Sequence, residues 1–438
     1  MNYLTGGTPT FLDPFFAKFD AVFSRAEAQH HFRLYGTGLL LEIKRKNIQA
    51  IDSPIINGNY QGLHHFLCDA PWEETSLNSQ RIDWLQSRRQ TKSTSRGYLI
   101  LDDTANPKSG DTTFATKKQY MGGLGKVDCG QVVVTSHYAD ASKDWPVNLR
   151  PYVPENLIPR ENAHLQKQNQ KLPADKQLPL LTFQTKWELA LELIEDAKKQ
   201  SICFSHVLAD AWYGNCPKFT KKLDEEKILY ITSLYANRRV YYRLPGETAR
   251  NEHRLGEVVT LLEAECFSKV EYLTASGEQR TVFVKEMFLK IKGIGKRRVL
   301  GVKPTAEEVD LDKIVTLMTT DETADKTVIL RNWSYRDKID KFYQRGKDDL
   351  GFDQYQVRGD RSIRRHWYLV FLMYSYLIAQ RQQGCFTKWS TSACRTIGEM
   401  LSVIRLKLIV HWQRWCVENS EQWNAFLHQR GLRLATHS

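Results

Sequence analysis

Two apolar runs of strand character, Tyr98-Leu99-Ile100-Leu101 and Phe204-Ser205-His206-Val207-Leu208-Ala209, each end on acid, at Asp102-Asp103 and at Asp210. An aspartate at the end of a buried strand is costly to desolvate unless a cation or a hydrogen-bond network receives it. Taken singly, each acid could start a turn or cap a helix. Two such ends in one basic chain point instead to carboxylates that hold a divalent metal for work on a phosphate backbone. Lys and Arg outnumber Asp and Glu by 62 to 50, a net charge of +12 that favours a polyanionic partner.

At 438 residues the chain calls for two or three structural units, and a hydrophobic content of 42% suffices for globular folding. None of the eight cysteines forms a CxxC pair, which argues against a zinc ribbon or redox dithiol and for reduced thiols in the cytoplasm. The first residues lack the basic and apolar regions of a signal peptide. The longest apolar run, from Trp367 to Ala379, is too short to span a bilayer, so no membrane partner is expected.

Residues 1–95 carry apolar residues at helical spacing, punctuated by Gly36, Gly38, Pro54 and Gly58. This segment is either a DNA-reading helical unit or a helical cap on the strand-rich segment after it. From residue 96 to 235 strands dominate: Tyr98 to Leu101, Gln131 to Ser136 and Val147 to Tyr152, with a Gly-rich turn at Met121 to Lys126. A polar loop is expected from Pro154 to Pro179. Thr185 and Glu188 then form a capping box for a helix through Gln200. The strand ending at Asp210, a helix near Pro217 to Glu226 and the strand Ile228 to Thr232 complete a mixed α/β sheet.

Residues 236–325 read as a β-rich insertion with paired strands at 270–273, 280–284 and 299–302. Between Lys285 and Lys303 stand seven basic residues and one acid, around the turn Gly293-Ile294-Gly295. Such a segment is a solvated hairpin tip or a phosphate-gripping finger; the strand-end acids favour the second, with Lys296, Arg297 and Arg298 as DNA contacts. Residues 326–380 carry a third acid. Ser334 is the expected N-cap and Gly351 the stop of a helix on which Arg336, Asp340 and Lys347 fall within roughly 40° of one line. Ile339, Phe342, Tyr343 and Leu350 form the stripe that docks it. Alone, Arg336 and Asp340 would read as an exposed i, i+4 pair. Residues 381–438 are a C-terminal helical region, with Arg395, Arg405, Lys407 and Trp412 facing DNA or a second copy.

The order of elements resembles the DDE transposases of bacterial insertion sequences. Leu101-Asp102-Asp103-Thr104-Ala105-Asn106-Pro107-Lys108-Ser109-Gly110 with Gln119 to Lys126 looks like the first-acid block, and Ala209-Asp210-Ala211-Trp212-Tyr213-Gly214 the second. The family spacing Tyr-(2)-Arg-(3)-Glu-(6)-Lys is met by Trp333-(2)-Arg336-(3)-Asp340-(6)-Lys347, with Asp in place of Glu. That change draws the carboxylate back by about 1.5 Å, more than a catalytic constellation tolerates without adjustment.

The resemblance implies an α/β, RNase H-like mixed sheet with flanking helices, an N-terminal helical region and a β-rich insertion before the last catalytic helix. It implies Asp103, Asp210 and Asp340 as catalytic metal ligands, with Asp103 rather than Asp102 the first, holding two Mg²⁺ ions that Mn²⁺ can replace. Arg336 and Lys347 would then bind DNA. The expected partners are terminal inverted repeats, target DNA and, in the DNA complex, a second copy of the chain, at the nucleoid in the cytoplasm. The reaction is cut-and-paste cleavage and joining. The alternatives are a catalytically weakened DNA-binding descendant, which Asp340 motivates, and a metal-dependent nuclease that does not join strands.

Overall fold

In the computed structural model the described residues are 9–53, 59–121, 125–170, 174, 177–383, 390 and 393–429. Pro54, Gly58, Cys385, the N-terminal stretch weighed as a signal peptide and residues 122–124 of the Met121 to Lys126 turn therefore lie outside them. The chain opens with five helices: α1 (Asp13–Phe16), α2 (Ala26–Leu40), α3 (Ile48–Asp52), α4 (Tyr60–Cys68) and α5 (Glu74–Gln86). Strands β1 (Tyr98–Pro107), β2 (Lys117–Met121), β3 (Lys126–Ala139) and β4 (Asp144–Tyr152) follow. Next come α6 (Ile158–Asn169), α7 (Lys186–Lys199), β5 (His206–Ala209), α8 (Ala211–Gly214), α9 (Pro217–Glu225) and β6 (Leu229–Ser233).

β3 lies antiparallel between β1 and β4, while β1, β5 and β6 run parallel, so five strands take the order β4-β3-β1-β5-β6. This is an RNase H-like mixed sheet. Successive strand residues face opposite sides, and both sides are covered. Tyr98 and Ile100 enter one core, Leu99 and Leu101 the other, where α7 buries Leu189, Leu193, Ile194 and Ala197. The α7 start matches the expected capping box, since the Glu188 carboxylate accepts from the Thr185 N–H at 2.7 Å and from its hydroxyl at 2.6 Å.

The insertion holds β7 (Arg239–Tyr242), β8 (Asn251–Arg254), α10 (Leu255–Leu261), β9 (Ser268–Leu273), β10 (Gln279–Ile291), β11 (Gly295–Lys303) and β12 (Val315–Thr319). β9, β10 and β11 pair antiparallel, as their sequence suggested. The insertion continues the core sheet, because β12 pairs antiparallel with β6. Then come α11 (Lys326–Trp333), α12 (Asp337–Asp348), α13 (Asp360–Gln383), α14 (Ile397–Glu418) and α15 (Ser420–Gln429).

Three local expectations are corrected or refined. The stretch from Pro154 to Pro179 contains α6, started by Pro159 in its first turn, where a missing N–H costs nothing. Ser334 is not an N-cap: Asp325 caps α11 through the Thr327 N–H, and a 3₁₀ turn over Ser334–Arg336 carries the chain into α12. The Ser334 hydroxyl donates to the Arg331 carbonyl at 2.6 Å. Gly351 does end α12, with φ +72°, and a Cβ there would collide with the Lys46 side chain.

The apolar run from Trp367 to Ala379 is the middle of α13, buried on every side. Helices α2 and α4 share its core rather than forming their own, and the Tyr35 hydroxyl meets His366 Nδ1 at 2.8 Å. No helix among the described residues is long and apolar enough to cross a membrane. Arg365 on α13 ties these helices together. Its guanidinium donates to the carbonyls of Phe66, Leu67, Ala70 and Trp72 at and beyond the end of α4 and lies 4.4 Å from the Trp72 ring centroid. Arg365→Met should therefore leave four carbonyls without that donor and lower unfolding free energy by about 3 kcal/mol or more in urea titration. A change within the error of the titration would show that these carbonyls find other partners.

Candidate active site

Parallel pairing sets the site. Leu101 stands in register with Ala209, so the acids that come next on β1 and β5 emerge side by side. Asp210 leaves its strand as the N-cap of α8, its Oδ1 accepting from the Trp212 N–H at 2.9 Å and the Tyr213 N–H at 3.3 Å. Both readings of Asp210, cap and site acid, are thus compatible. Burial raises its pKa, and nearby Asp103 adds to this, while Arg336 and the two amides pull it down.

The two acids of β1 face opposite ways. Asp102 points to the α12 side, where its Oδ2 receives Arg336 Nη2 at 2.8 Å. Asp103 points to the α7 side, where Lys186 Nζ lies 2.9 Å from its Oδ2. Asp102 is 8% exposed. Burial pushes its pKa up to about 8, with Arg336 opposing and Asp210, Asp103 and Asp340 contributing further.

Helix α12 delivers the third acid. Ile339, Phe342, Tyr343 and Leu350 are buried as the helical stripe predicted. The Tyr343 hydroxyl meets Thr135 Oγ1 at 2.6 Å, and Lys347 Nζ donates to Thr104 Oγ1 and the Ala105 carbonyl, both at 2.8 Å. Lys347 thereby clamps α12 to β1, and burial lowers its pKa. Asp340 is half-exposed, with its Oδ2 3.2 Å from Arg336 Nη1. Burial works against the charge on Arg336, but Asp102, Asp340 and Asp210 outweigh it and keep the guanidinium protonated.

The predicted hairpin cations divide. Lys296 is exposed near the tip. Arg297 pairs with Asp224 and donates to the Tyr230 hydroxyl at 3.0 Å. Arg298 is 5% exposed and donates to Glu286 at 2.9 Å and to the carbonyls of Asp321 and Ala324 at 2.9 and 2.7 Å. A phosphate role for Arg298 is therefore corrected: its guanidinium braces the loop after β12. β11 is also the fourth strand along from β1, about 19 Å away at 4.8 Å per strand.

A sequence profile described as "DDE superfamily endonuclease" matches residues 18–264, more than half of the chain. The chain belongs to that superfamily. The match includes Asp103 and Asp210 and stops before α12. The chain is 29% identical over 234 residues to a "Probable transposase for insertion sequence element IS701" from Microchaete diplosiphon, covering 53% of this chain and 56% of that protein. It thus spans little more than half the length of that relative. The NurA nuclease from Sulfolobus solfataricus aligns with 58% of this chain and 80% of its own at 9% identity, but its TM-score of 0.24 carries no weight.

Membership of the DDE endonucleases implies a divalent metal. The donors suit one: four carboxylates, Asp102, Asp103, Asp210 and Asp340, face two cationic side chains, Arg336 and Lys186. Carboxylate oxygens are hard ligands, and the raised pKa of Asp102 comes first from burial, with Asp210, Asp103 and Asp340 adding to it. Among the described residues no three acids, histidines or cysteines stand close enough to hold an ion, and Asp103 and Asp340 lie against Lys186 and Arg336. Sequence reasoning missed two features of this acidic cluster. Asp102 was legible as an acid but not in its facing, and Lys186 carried no local signal at all.

A carboxylate whose pKa rises on folding destabilises the fold above its unfolded value of 3.8, and the penalty grows until pH passes about 8. Asp102→Asn should therefore raise the melting temperature in EDTA at pH 8 by about 2 °C or more, the gain shrinking as pH falls toward 4. A loss at every pH would show that the ion pair with Arg336 outweighs burial.

Proposed function

We propose that the chain is a transposase of a bacterial insertion sequence that cuts DNA at the element's terminal inverted repeats and joins the ends to target DNA. The observation that carries this is the gathering of Asp102 and Asp103, midway along β1, with Asp210 at the end of β5, and the link from Asp102 through Arg336 to Asp340 on a helix clamped to β1. The family match and the name of the IS701 relative support the same reading.

Asp103, Asp210 and Asp340 would hold the metal, Mg²⁺ or Mn²⁺ and two ions in this reading. When bound, that metal supplies activation of the attacking oxygen and stabilisation of the leaving one. The chain's own residues do the rest. The amides of Trp212 and Tyr213 fix Asp210 in one rotamer, as a preorganised site requires. Arg336 shields the acids from one another while DNA approaches, and its fork geometry suits a phosphate beside the scissile bond. Lys347, inward and fixed to β1, sets the distance between α12 and the sheet. The attacking group is water in cleavage and a DNA 3′-hydroxyl in joining, so no side chain bonds covalently to DNA. Two copies would pair the two element ends, in the cytoplasm at the nucleoid.

A second reading rests on Asp340. It is one methylene shorter than the glutamate of the family spacing and half-exposed on Arg336, which fits a descendant that binds DNA with weakened catalysis. Both readings meet in one assay, with a labelled duplex from the element end and Mg²⁺. Asp103→Ala, Asp210→Ala and Asp340→Ala should each lower cleavage by about a thousand-fold or more, with DNA binding retained. Asp337→Ala should stay within a few-fold of wild type. Wild-type rates from any of the three would remove that residue from the site.

Asp340→Glu separates the two histories of the chain. A site adapted to the shorter acid is crowded by the longer one and slows. A decayed copy regains reach and speeds up from a very low rate. Cleavage by this variant above the wild-type rate selects the second reading, and cleavage below it the first.

A further inference from the structure

We propose that Lys186 is a phosphate-contacting residue of the same site, acting from the face of the sheet opposite Arg336; this rests on the reading of Asp103 as a metal ligand. Lys186 is the first residue of α7, 83 positions from Asp103 in the chain. Its backbone is fixed by the Thr185–Glu188 capping box immediately before it. The side chain is 22% exposed, so it reaches the acid from the solvent side rather than from the core.

Three elements frame the ammonium. Nζ lies 2.9 Å from Asp103 on β1 and 5.7 Å from the ring centroids of Tyr152, at the end of β4, and Trp212, in α8. Aromatic faces at that distance stabilise a cation without fixing it. Trp212 is 39% exposed and lies two residues after Asp210, so the position borders both strand-end acids and the surface. An ammonium has three N–H donors, and the Asp103 oxygen takes one.

The two cations of the site differ in freedom. Arg336 is engaged by Asp102 and Asp340 at once, whereas Lys186 contacts one oxygen of one carboxylate through a flexible stem. Once Asp103 is given to a dication, like-charge repulsion drives the ammonium off it. A phosphate of a DNA strand lying over these acids would then come within its reach. Lys186 thus screens Asp103 before DNA arrives and grips the backbone afterwards.

The test uses the full chain with Lys186→Gln and Lys186→Arg, each checked for an unchanged melting curve. Affinity for a labelled duplex from the element end is measured against salt, with Ca²⁺ replacing Mg²⁺ to prevent cutting. Lys186→Gln should reduce the slope of log affinity against log salt by about one, as loss of one phosphate contact does, and Lys186→Arg should restore it. With Mn²⁺ alone, Lys186→Gln should bind the metal about three-fold tighter or more, because a competing cation is gone. An unchanged salt slope overturns the proposal and leaves Lys186 as a brace for Asp103. Asp103→Asn in the same Mn²⁺ titration tells the two failures apart: undiminished metal binding there overturns the site reading itself, and this inference with it.

Discussion

Like charges crowded where β1 runs on past the end of its parallel neighbour β5 are the constraint on which the molecule is organised. Parallel pairing of β1 with β5 leaves Asp102, Asp103 and Asp210 little distance from one another, inside a surface that water reaches poorly. Such a cluster persists only if the surroundings hold it and cations answer it. The two-sided core holds it. Ile100 and Leu101 anchor β1 into opposite cores, so neither acid can rotate away without moving a packed strand.

The cations arrive from both faces, and their placement explains much of the rest. The 3₁₀ turn leading into α12 brings Arg336 to Asp102, and α12 is itself fixed by Lys347 on β1 and by Tyr343 on β3. Helix α7 brings Lys186 to Asp103. The insertion extends the sheet away from this centre, and its most buried arginine, Arg298, serves its own loop. The N-terminal helices pack around α13, which also supports α12 through contacts such as Phe342 with Phe371 and Tyr374. The position of the third acid thus depends on a core built from both ends of the chain.

What was legible in the sequence was local. Apolar runs leading into acids located β1 and β5, although β1 continues through Asp102 and Asp103 to Pro107 rather than ending there; Thr185 with Glu188 marked the start of α7, and Gly351 the end of α12. The helical stripe Ile339, Phe342, Tyr343 and Leu350 is buried as read, and Asp340 pairs with Arg336 one turn before it. What escaped was set by long-range packing. The outward side of a strand acid depends on which face each helix covers, so Asp102 and Asp103 could not be told apart by facing. Lys186 meets its acid 83 residues away. Ser334 has the residue type of an N-cap, but Asp325 had already started the helix one element earlier. Arg297 read as free charge because Asp224 lies 73 residues away, whereas Arg298 is received by Glu286 on the facing strand of its own hairpin and by carbonyls beyond β12.

The central claim is that these carboxylates form one metal centre, reached when Lys186 and Arg336 yield Asp103 and Asp340. Anomalous diffraction from crystals soaked in Mn²⁺ tests it most directly. The account predicts manganese peaks bounded by Asp103 and Asp210, with Asp340 turned toward them and the Lys186 ammonium displaced from Asp103. Manganese bound elsewhere, with both ion pairs intact and Asp103 and Asp210 bare, would contradict it.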